Sequence, residues 1–320
     1  MKGFRKICKE RIDEFMAYFA RYLMERYDMD ARLRNLKYEI ADSIRQQEIL
    51  FPKIIPALET LDKLIARKCS ICRYGDGEFS IMQGHSIRFQ AYHPSLSIRL
   101  LEIIKSDDES ILVGIPDSMG SLDRFEHVSK QWASVYYGYN RESVYNLIDF
   151  QKVYYDSGVT RPYLNIRDKS VAAQIIGRFP LLWQEREIVL IEGEYTRAGI
   201  GNDLFANTKS IERIVCPNFD AFDHYDRILE TASVQPKHKL MLIALGPTAT
   251  VLAYDLAKQG FQAIDLGHLD IEYEWYKKGA TTVQSVDGKY VNEATSAKRQ
   301  SFPELKDEVY QKQIIARILK

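Results

Sequence analysis

Seven short apolar runs, at residues 69–73, 111–115, 153–155, 188–191, 211–215, 240–245 and 263–266, constrain this chain more than any other feature. Most are apolar at consecutive positions instead of at every second one, which is the requirement of strands covered on both faces. Stretches between them, such as 222–229 and 248–258, the latter closed by Gly260, carry helical patterns of crossover length. The expectation is an α/β fold with a Rossmann-like, doubly wound, mostly parallel sheet.

A core drawn from 320 residues buries about three quarters of the unfolded surface, so no disulfide staple is needed. Cys8, Cys69, Cys72 and Cys216 form no secreted-type framework and are expected as reduced thiols. Cys69 and Cys72 make a C-x-x-C without a second pair, which core packing explains better than zinc or redox chemistry. Lys+Arg and Asp+Glu each number 44, so the formal net charge is zero and no global field draws in nucleic acid.

Upstream of the runs, Phe4, Ile7, Ile12, Phe15, Phe19 and Leu23 recur at helical spacing, and a second helical stretch follows around Leu33, Leu36, Ile40 and Ile44. Residues 1–50 thus read as an N-terminal helical arm on a main domain spanning 51–320, with Pro56 opening a helix through Leu58, Leu61, Leu64 and Ile65. The arm's 11 basic and 9 acidic residues suit either a cap packed on the domain or a peripheral membrane or partner contact. The opening residues lack an apolar stretch for a signal peptide, and no run approaches the roughly 20 residues that cross a bilayer. A cytoplasmic protein is expected, at most peripheral on the inner face of the plasma membrane. In the tail, Leu305, Val309, Ile314, Ile315 and Ile318 stand at roughly helical spacing and predict a helix packed back on the body.

In such a sheet, ligands bind beyond the carboxyl ends of the strands. After the first run, Arg73-Tyr74-Gly75-Asp76-Gly77-Glu78 is expected to turn sharply and project Asp76 and Glu78 from a tight loop. Two hard oxygen ligands one residue apart suit Mg²⁺ or Mn²⁺ shared with a substrate diphosphate; the plain alternative is a solvated Asp-Gly turn. After the run at 188–191 comes Glu192-Gly193-Glu194-Tyr195-Thr196-Arg197-Ala198-Gly199-Ile200-Gly201-Asn202-Asp203. Gly199 and Gly201 free this loop to wrap on a ligand and Arg197 offers a fork for phosphate oxygens, although an ordinary surface loop fits equally and the pattern is neither G-x-G-x-x-G nor a Walker loop. Third, Leu245-Gly246-Pro247-Thr248-Ala249-Thr250 joins a strand to a helix whose first amides and hydroxyls favour an anion such as pyrophosphate, or serve simply as a Thr cap.

Beyond the last run, His268-Leu269-Asp270-Ile271-Glu272-Tyr273-Glu274-Trp275 sets three acids and an aromatic past a strand end, where one acid can take a proton from an attacking hydroxyl and a ring can face a sugar. The six His show no metal-ligand spacing, and no G-x-S-x-G elbow is present.

Together these blocks resemble the bacterial GT-D-type glycosyltransferases, a family first catalogued as a domain of unknown function and marked by an Asp-x-Glu motif. The resemblance covers about residues 50–300. Besides the blocks above it takes in Gly114-Ile115-Pro116-Asp117, Gly120-Ser121-Leu122-Asp123 and Thr160-Arg161-Pro162-Tyr163. It implies a Rossmann-like domain that binds a UDP-sugar with Mn²⁺ or Mg²⁺ and passes a hexose, glucose or galactose, to a hydroxyl of a growing glycan or glycolipid. By the same resemblance Asp76 and Glu78 stand near the metal and diphosphate. Arg73, Arg197, Gly199, Gly201, Asn202, Asp203, Gly246 and Thr248 belong to the donor site, and the base is Glu274, with Asp270 and Glu293 behind it. Two other readings stay open: a non-catalytic nucleotide-sugar-binding scaffold, and a nicotinamide oxidoreductase, which the missing G-x-G-x-x-G disfavours.

Overall fold

A computed structural model of the chain describes residues 2–39, 50–294 and 302–319. Its strands are β1 (Lys53–Ile55), β2 (Ser70–Arg73), β3 (Ile111–Ile115), β4 (Val153–Asp156), β5 (Glu187–Gly193), β6 (Ser210–Cys216), β7 (Leu240–Ala244), β8 (Gln262–Asp265) and β9 (Ile314–Arg317). Its helices are α1 (Lys2–Arg26), α2 (Met29–Glu39), α3 (Ala57–Arg67), α4 (Asp76–Met82), α5 (Pro94–Ile103), α6 (His127–Tyr145), α7 (Lys169–Trp183), α8 (Tyr225–Ser233), α9 (Pro247–Lys258), α10 (Leu269–Lys278) and α11 (Glu308–Gln313). The chain divides into two compact units, residues 1–51 with 118–146 and residues 52–117 with 147–320.

The smaller unit is helical and draws on 118–146 as well as on the arm expected at 1–50. In it α2 packs on α6 at close range: a Cβ on Gly138 would lie 2.1 Å from the Ala31 carbonyl oxygen, so only glycine lets the two backbones approach this far. Arg141 is buried there. Its Nη1 donates to Met119 O at 2.8 Å and its Nη2 to Asn35 Oδ1 at 2.7 Å, while the guanidinium lies 3.8 Å from the centroid of the Tyr38 ring. Along α1 the side chains of Ile12, Phe15, Met16 and Phe19 are exposed. Ile40 and Ile44, where the second helical pattern was expected to continue, lie outside the described residues, as does the side chain of Cys8.

The larger unit is the α/β body. All nine of its described strands run parallel in the order β1-β4-β3-β2-β8-β7-β5-β6-β9. The doubly wound sheet read from the apolar runs is therefore the observed one. One face carries α3 and α7, which pack on each other, and Leu61, Leu64, Phe179 and Trp183 meet Ile71, Leu190, Leu242 and Ile264 there. The alternate strand positions, Met241, Ile243 and Ala263 among them, are also fully buried, and α9 packs along β2, β7 and β8. Each fully buried side chain of this size contributes about 1.5–3 kcal/mol against exposure, which is why the runs read as continuous. Cys69, Cys72 and Cys216 are buried free thiols within this body.

Two edge strands were not expected. β1 has three residues between Pro52 and Pro56, too few to show a period. β9 corrects the reading of the tail as a helix: after the six-residue α11 the chain extends at Ile314 and pairs with β6, and its exposure alternates as an edge strand's does. Four alternating residues and the start of a helical turn cannot be told apart by spacing alone.

The sheet reverses its winding at β2 and β8. These central strands touch through one register pair, Ile71 opposite Ile264, and in such sheets the crevice beyond the carboxyl ends at the switch point is where ligands bind.

Candidate active site

Arg73 closes β2 and Asp265 closes β8, and they lock the floor of this crevice. Arg73 Nε donates to Asp265 O at 2.8 Å, Nη2 to Asp265 Oδ1 at 3.0 Å and Nη1 to Ser157 O, past the end of β4, at 2.9 Å. Thr250 Oγ1 donates to Arg73 O at 2.8 Å from α9. Burial pushes the Asp265 carboxyl up against the opposing pull of Arg73. Arg73, expected as a donor-site ligand, is thus a strut across three strand ends.

The Asp-x-Glu segment is not the projecting loop expected from its glycines. Residues 76–82 form α4, with Gly75 as its cap and Asp76 in the first turn. The Glu78 carboxylate folds back and accepts from Gly75 N at 2.7 Å, the reciprocal half of a capping box. Glu78 is half-buried and Asp76 exposed. Burial, with Asp265 and Asp76 adding like charge, pushes Glu78 up to about 7. Asp76 makes no hydrogen bond or ion pair among the described residues.

A second cluster comes from the chain beyond β4 and β8. Arg161 pairs with Glu293, and the charge of Asp76 also reaches it. His268 Nε2 stands 3.5 Å from Glu293 Oε2. Burial pulls His268 down to about 4, and the Arg161 guanidinium helps hold Glu293 below the usual carboxylate range despite its burial. The Nε of Arg161 is buried without a partner. Neighbouring Glu272 accepts from Tyr163 N at 2.8 Å and Leu164 N at 3.1 Å, which fixes the segment after Arg161 on α10.

The block at 197–203 forms a separate, internally bonded assembly. Asp270 Oδ1 accepts from Gly199 N and Asn202 Nδ2, both at 2.8 Å, and Glu274 Oε1 accepts from Asn202 Nδ2 at 2.8 Å. Buried Lys289 donates to Asp270 Oδ2 at 2.7 Å and lies 3.4 Å from Glu274 Oε1. Glu274 and Asp270, expected as bases, therefore hold this loop on α10. Their engagement with Asn202 and Lys289 draws Glu274 below the usual range.

Arg197 is also committed: Nη1 donates to Gly288 O at 2.9 Å and Nη2 to Pro303 O at 2.6 Å, so its fork grips backbone instead of standing open for phosphate. Gly199, at φ 77°, has the Phe205 ring 2.6 Å from where a Cβ would stand, whereas Gly201 has open space. Asp203, exposed, accepts from Tyr273 at 2.8 Å and pairs with Lys277 at 3.3 Å.

At the third junction Gly246 caps α9 with φ 55°, and the Phe89 ring lies over it. Thr248 is buried, its hydroxyl 3.4 Å from Gln90 Oε1, so it does not offer itself to an anion as expected.

The structure thus gathers Arg73, Asp76, Glu78 and Glu293 at the switch point and collects Arg197, Gly199, Asn202, Asp203, Asp270 and Glu274 in a second assembly. Three residues of the crevice were not singled out from the sequence. Asp265 is an acid inside an apolar run, a signal that was readable. Arg161 and His268 lay within noted blocks, but only folding brings them to Glu293. Among the described residues no three His, Cys, Asp or Glu side chains group into a metal cage. A cation here would rest on the Asp76–Glu78 pair and on substrate oxygens. An exposed, unbonded carboxylate beside a half-buried one suits that role.

This parallel α/β fold is that of a class of glycosyltransferases, and comparison gives the family. The sequence model of the glycosyltransferase GT-D fold matches residues 71–294, and the chain belongs to that family. It is 36% identical over 268 residues to the glycosyltransferase GlyD of Streptococcus pneumoniae serotype 4, covering 82% of this chain and 32% of that protein. To a probable glycosyl transferase Gly of Streptococcus gordonii it is 31% identical, covering 81% and 38%. The chain spans about a third of the length of these curated relatives. A solved structure described as a new glycosyltransferase of domain of unknown function 1792, from Streptococcus sanguinis, superposes with a TM-score of 0.79 at 32% identity, covering 84% of this chain and 100% of that one. Another, described as a distinct glycosyltransferase fold of the same domain, gives 0.78 at 34% identity, covering 91% and 99%.

Proposed function

We propose that this protein is a metal-assisted glycosyltransferase that moves a hexose, glucose or galactose, from a UDP-sugar to a hydroxyl of a growing glycan or glycolipid in polysaccharide or glycoprotein biosynthesis. The observation that carries this reading is the switch-point arrangement, in which Asp76 and Glu78 directly follow β2 while Arg161, His268 and Glu293 join one another beyond β4 and β8.

Asp76 and Glu78 would hold Mn²⁺ or Mg²⁺, which when bound supplies positive charge to the diphosphate leaving group. Arg161 adds a guanidinium with an unpartnered Nε, a donor whose interaction grows as the sugar–phosphate bond breaks and negative charge collects on UDP. Arg73 positions the crevice through Asp265 and Ser157. Proton acceptance from the acceptor hydroxyl falls to the His268–Glu293 pair: His268 is held neutral by burial, and Glu293 is held ionised to steady the imidazolium. Of the three acids expected as base, Glu293 alone belongs to the cluster with Arg161 and His268.

Among the described residues no helix is long and apolar enough to cross a membrane. The reading implies a cytoplasmic protein, where such donors are made, with the exposed apolar side chains of α1 as a peripheral contact on the inner membrane face.

A panel of UDP-sugars with Mn²⁺, read by UDP release and product mass, tests the proposal. Donor-dependent turnover that fails in Asp76→Asn supports it. Binding of UDP with neither transfer nor donor hydrolysis overturns it in favour of a nucleotide-sugar-binding scaffold.

A further inference from the structure

At the opposite edge of the sheet, where the strands begin, lies a cavity of about 600 Å³ that no step of the proposed transfer uses. It stands one strand length from the crevice, roughly 15 Å. Lys68, Arg186, Lys209, Lys237 and His238 line it together with the carboxylates Glu185 and Glu187. Glu187 is taken up by Lys209 at 2.8 Å and His238 at 3.1 Å. Lys68, Arg186 and Lys237 form no ion pair among the described residues.

Two of these cations are placed by the fold. Arg186 Nη1 donates to Leu182 O at 3.1 Å and Gln262 Oε1 at 2.6 Å. Gln262 is itself buried, and its Nε2 donates to Leu64 O at 3.2 Å and Cys69 O at 3.1 Å. The amide thereby serves the carbonyl end of α3, which Lys68 closes as the C-cap through its backbone in the left-handed region at φ 51°. Burial draws Arg186 down with no carboxylate to offset it. Lys237 Nζ lies 3.6 Å from the centroid of the Phe261 ring, which holds the ammonium at the cavity wall.

We propose that this cavity is a second ligand site, which takes a small phosphoryl-bearing anion. A pre-set guanidinium edge beside two ammoniums matches the oxygens of a phosphate or diphosphate. The concave wall and the zero net charge of the chain favour a compact anion over a polymer, which needs an extended field. Free phosphate, pyrophosphate and the phosphate of a hexose 1-phosphate share this chemistry.

Calorimetric titration of the full chain with each of the three, without divalent metal, tests the site. Saturable binding is expected, weakened at least about tenfold in Lys68→Ala/Lys237→Ala and in Arg186→Lys, and unchanged in Asp76→Asn. Tighter binding of the hexose phosphate than of inorganic phosphate would identify a sugar phosphate as the occupant; equal binding would identify the bare phosphoryl group. Melting temperatures of the variants report whether they fold. The proposal is overturned by absence of saturation up to about 10 mM, by equal affinity in folded double variant and parent, or by adsorption to phosphatidylglycerol vesicles without pyrophosphate binding. Failure of sugar transfer leaves this result untouched, because the readout is binding at the other edge of the sheet.

Discussion

Arg73 and Gly267 fit together only because residue 267 has no side chain: a Cβ there would stand 1.8 Å from Arg73 Nη2. Gly267 also sits at φ 51°, in the left-handed region. Gly267→Ala therefore combines backbone strain with displacement of a guanidinium that ties β2 to β8 and to the turn after β4. A loss of about 2–4 kcal/mol is expected, read from urea denaturation midpoints. An unchanged midpoint would mean that Arg73 relocates freely and is not a strut.

Asp76→Asn and Glu78→Gln are expected to lower turnover at least about 10²-fold without unfolding the chain. Asp76 is exposed and unbonded, and glutamine at 78 still presents an oxygen to Gly75 N, so the cap of α4 survives. Steady-state rates at saturating metal, with circular dichroism as the folding control, check this. Near-normal transfer by both variants would remove the metal role of the pair.

Lys289 stands between two carboxylates, and all three groups are nearly inaccessible, with side-chain exposures of 3% for Lys289, 5% for Asp270 and 9% for Glu274. Lys289→Met leaves these acids without their shared cation and is expected to destabilise the body by about 3–5 kcal/mol. Glu274→Gln, which keeps an acceptor for Asn202, should cost far less. Should Glu274→Gln instead abolish turnover in a protein of normal melting temperature, Glu274 would be the base after all.

Acid should loosen the crevice in a defined window. His268 is depressed from an ordinary 6.5 to about 4, so the unfolded chain binds a proton that the folded chain refuses between these values. Stability is full above pH 6.5 and is lost as the pH falls toward 4. The Glu293 carboxylate, depressed from 4.5 to about 2, adds a loss of the same sign at lower pH. In denaturation series from pH 7.5 to 4.5, His268→Gln should show a shallower decline than the parent chain. Parallel curves would refute the burial of a neutral His268.

The central strands were legible because β3, β5, β7 and β8 are covered on both faces, and burial on both faces writes itself into the sequence as apolar residues at consecutive positions, Ile111–Ile115, Ile188–Ile191, Leu240–Ala244 and Ala263–Ile264 among them. The edges were not, since β1 and β9 are short and half-exposed and their pattern carries too few positions to define a period. Of the site, Asp76 and Glu78 were visible as a pair because they are neighbours in the chain. Arg197 and Thr248 were visible as residue types suited to phosphate, but type alone does not reveal that Gly288, Pro303 and Gln90 have already claimed their polar atoms.

Sequence alone determined that the chain builds a buried parallel sheet, because apolar continuity is a local property. Tertiary structure decided which polar groups remain available beyond its strand ends. Arg161, His268 and Glu293 are separated by 107 and 25 residues, yet they meet only once β4 and β8 have taken their places in the sheet, and Asp270 and Glu274 become loop anchors only once Lys289 is folded between them. Hydrogen bonds and ion pairs between distant segments depend on the path of the backbone through space, and local residue patterns do not encode that path.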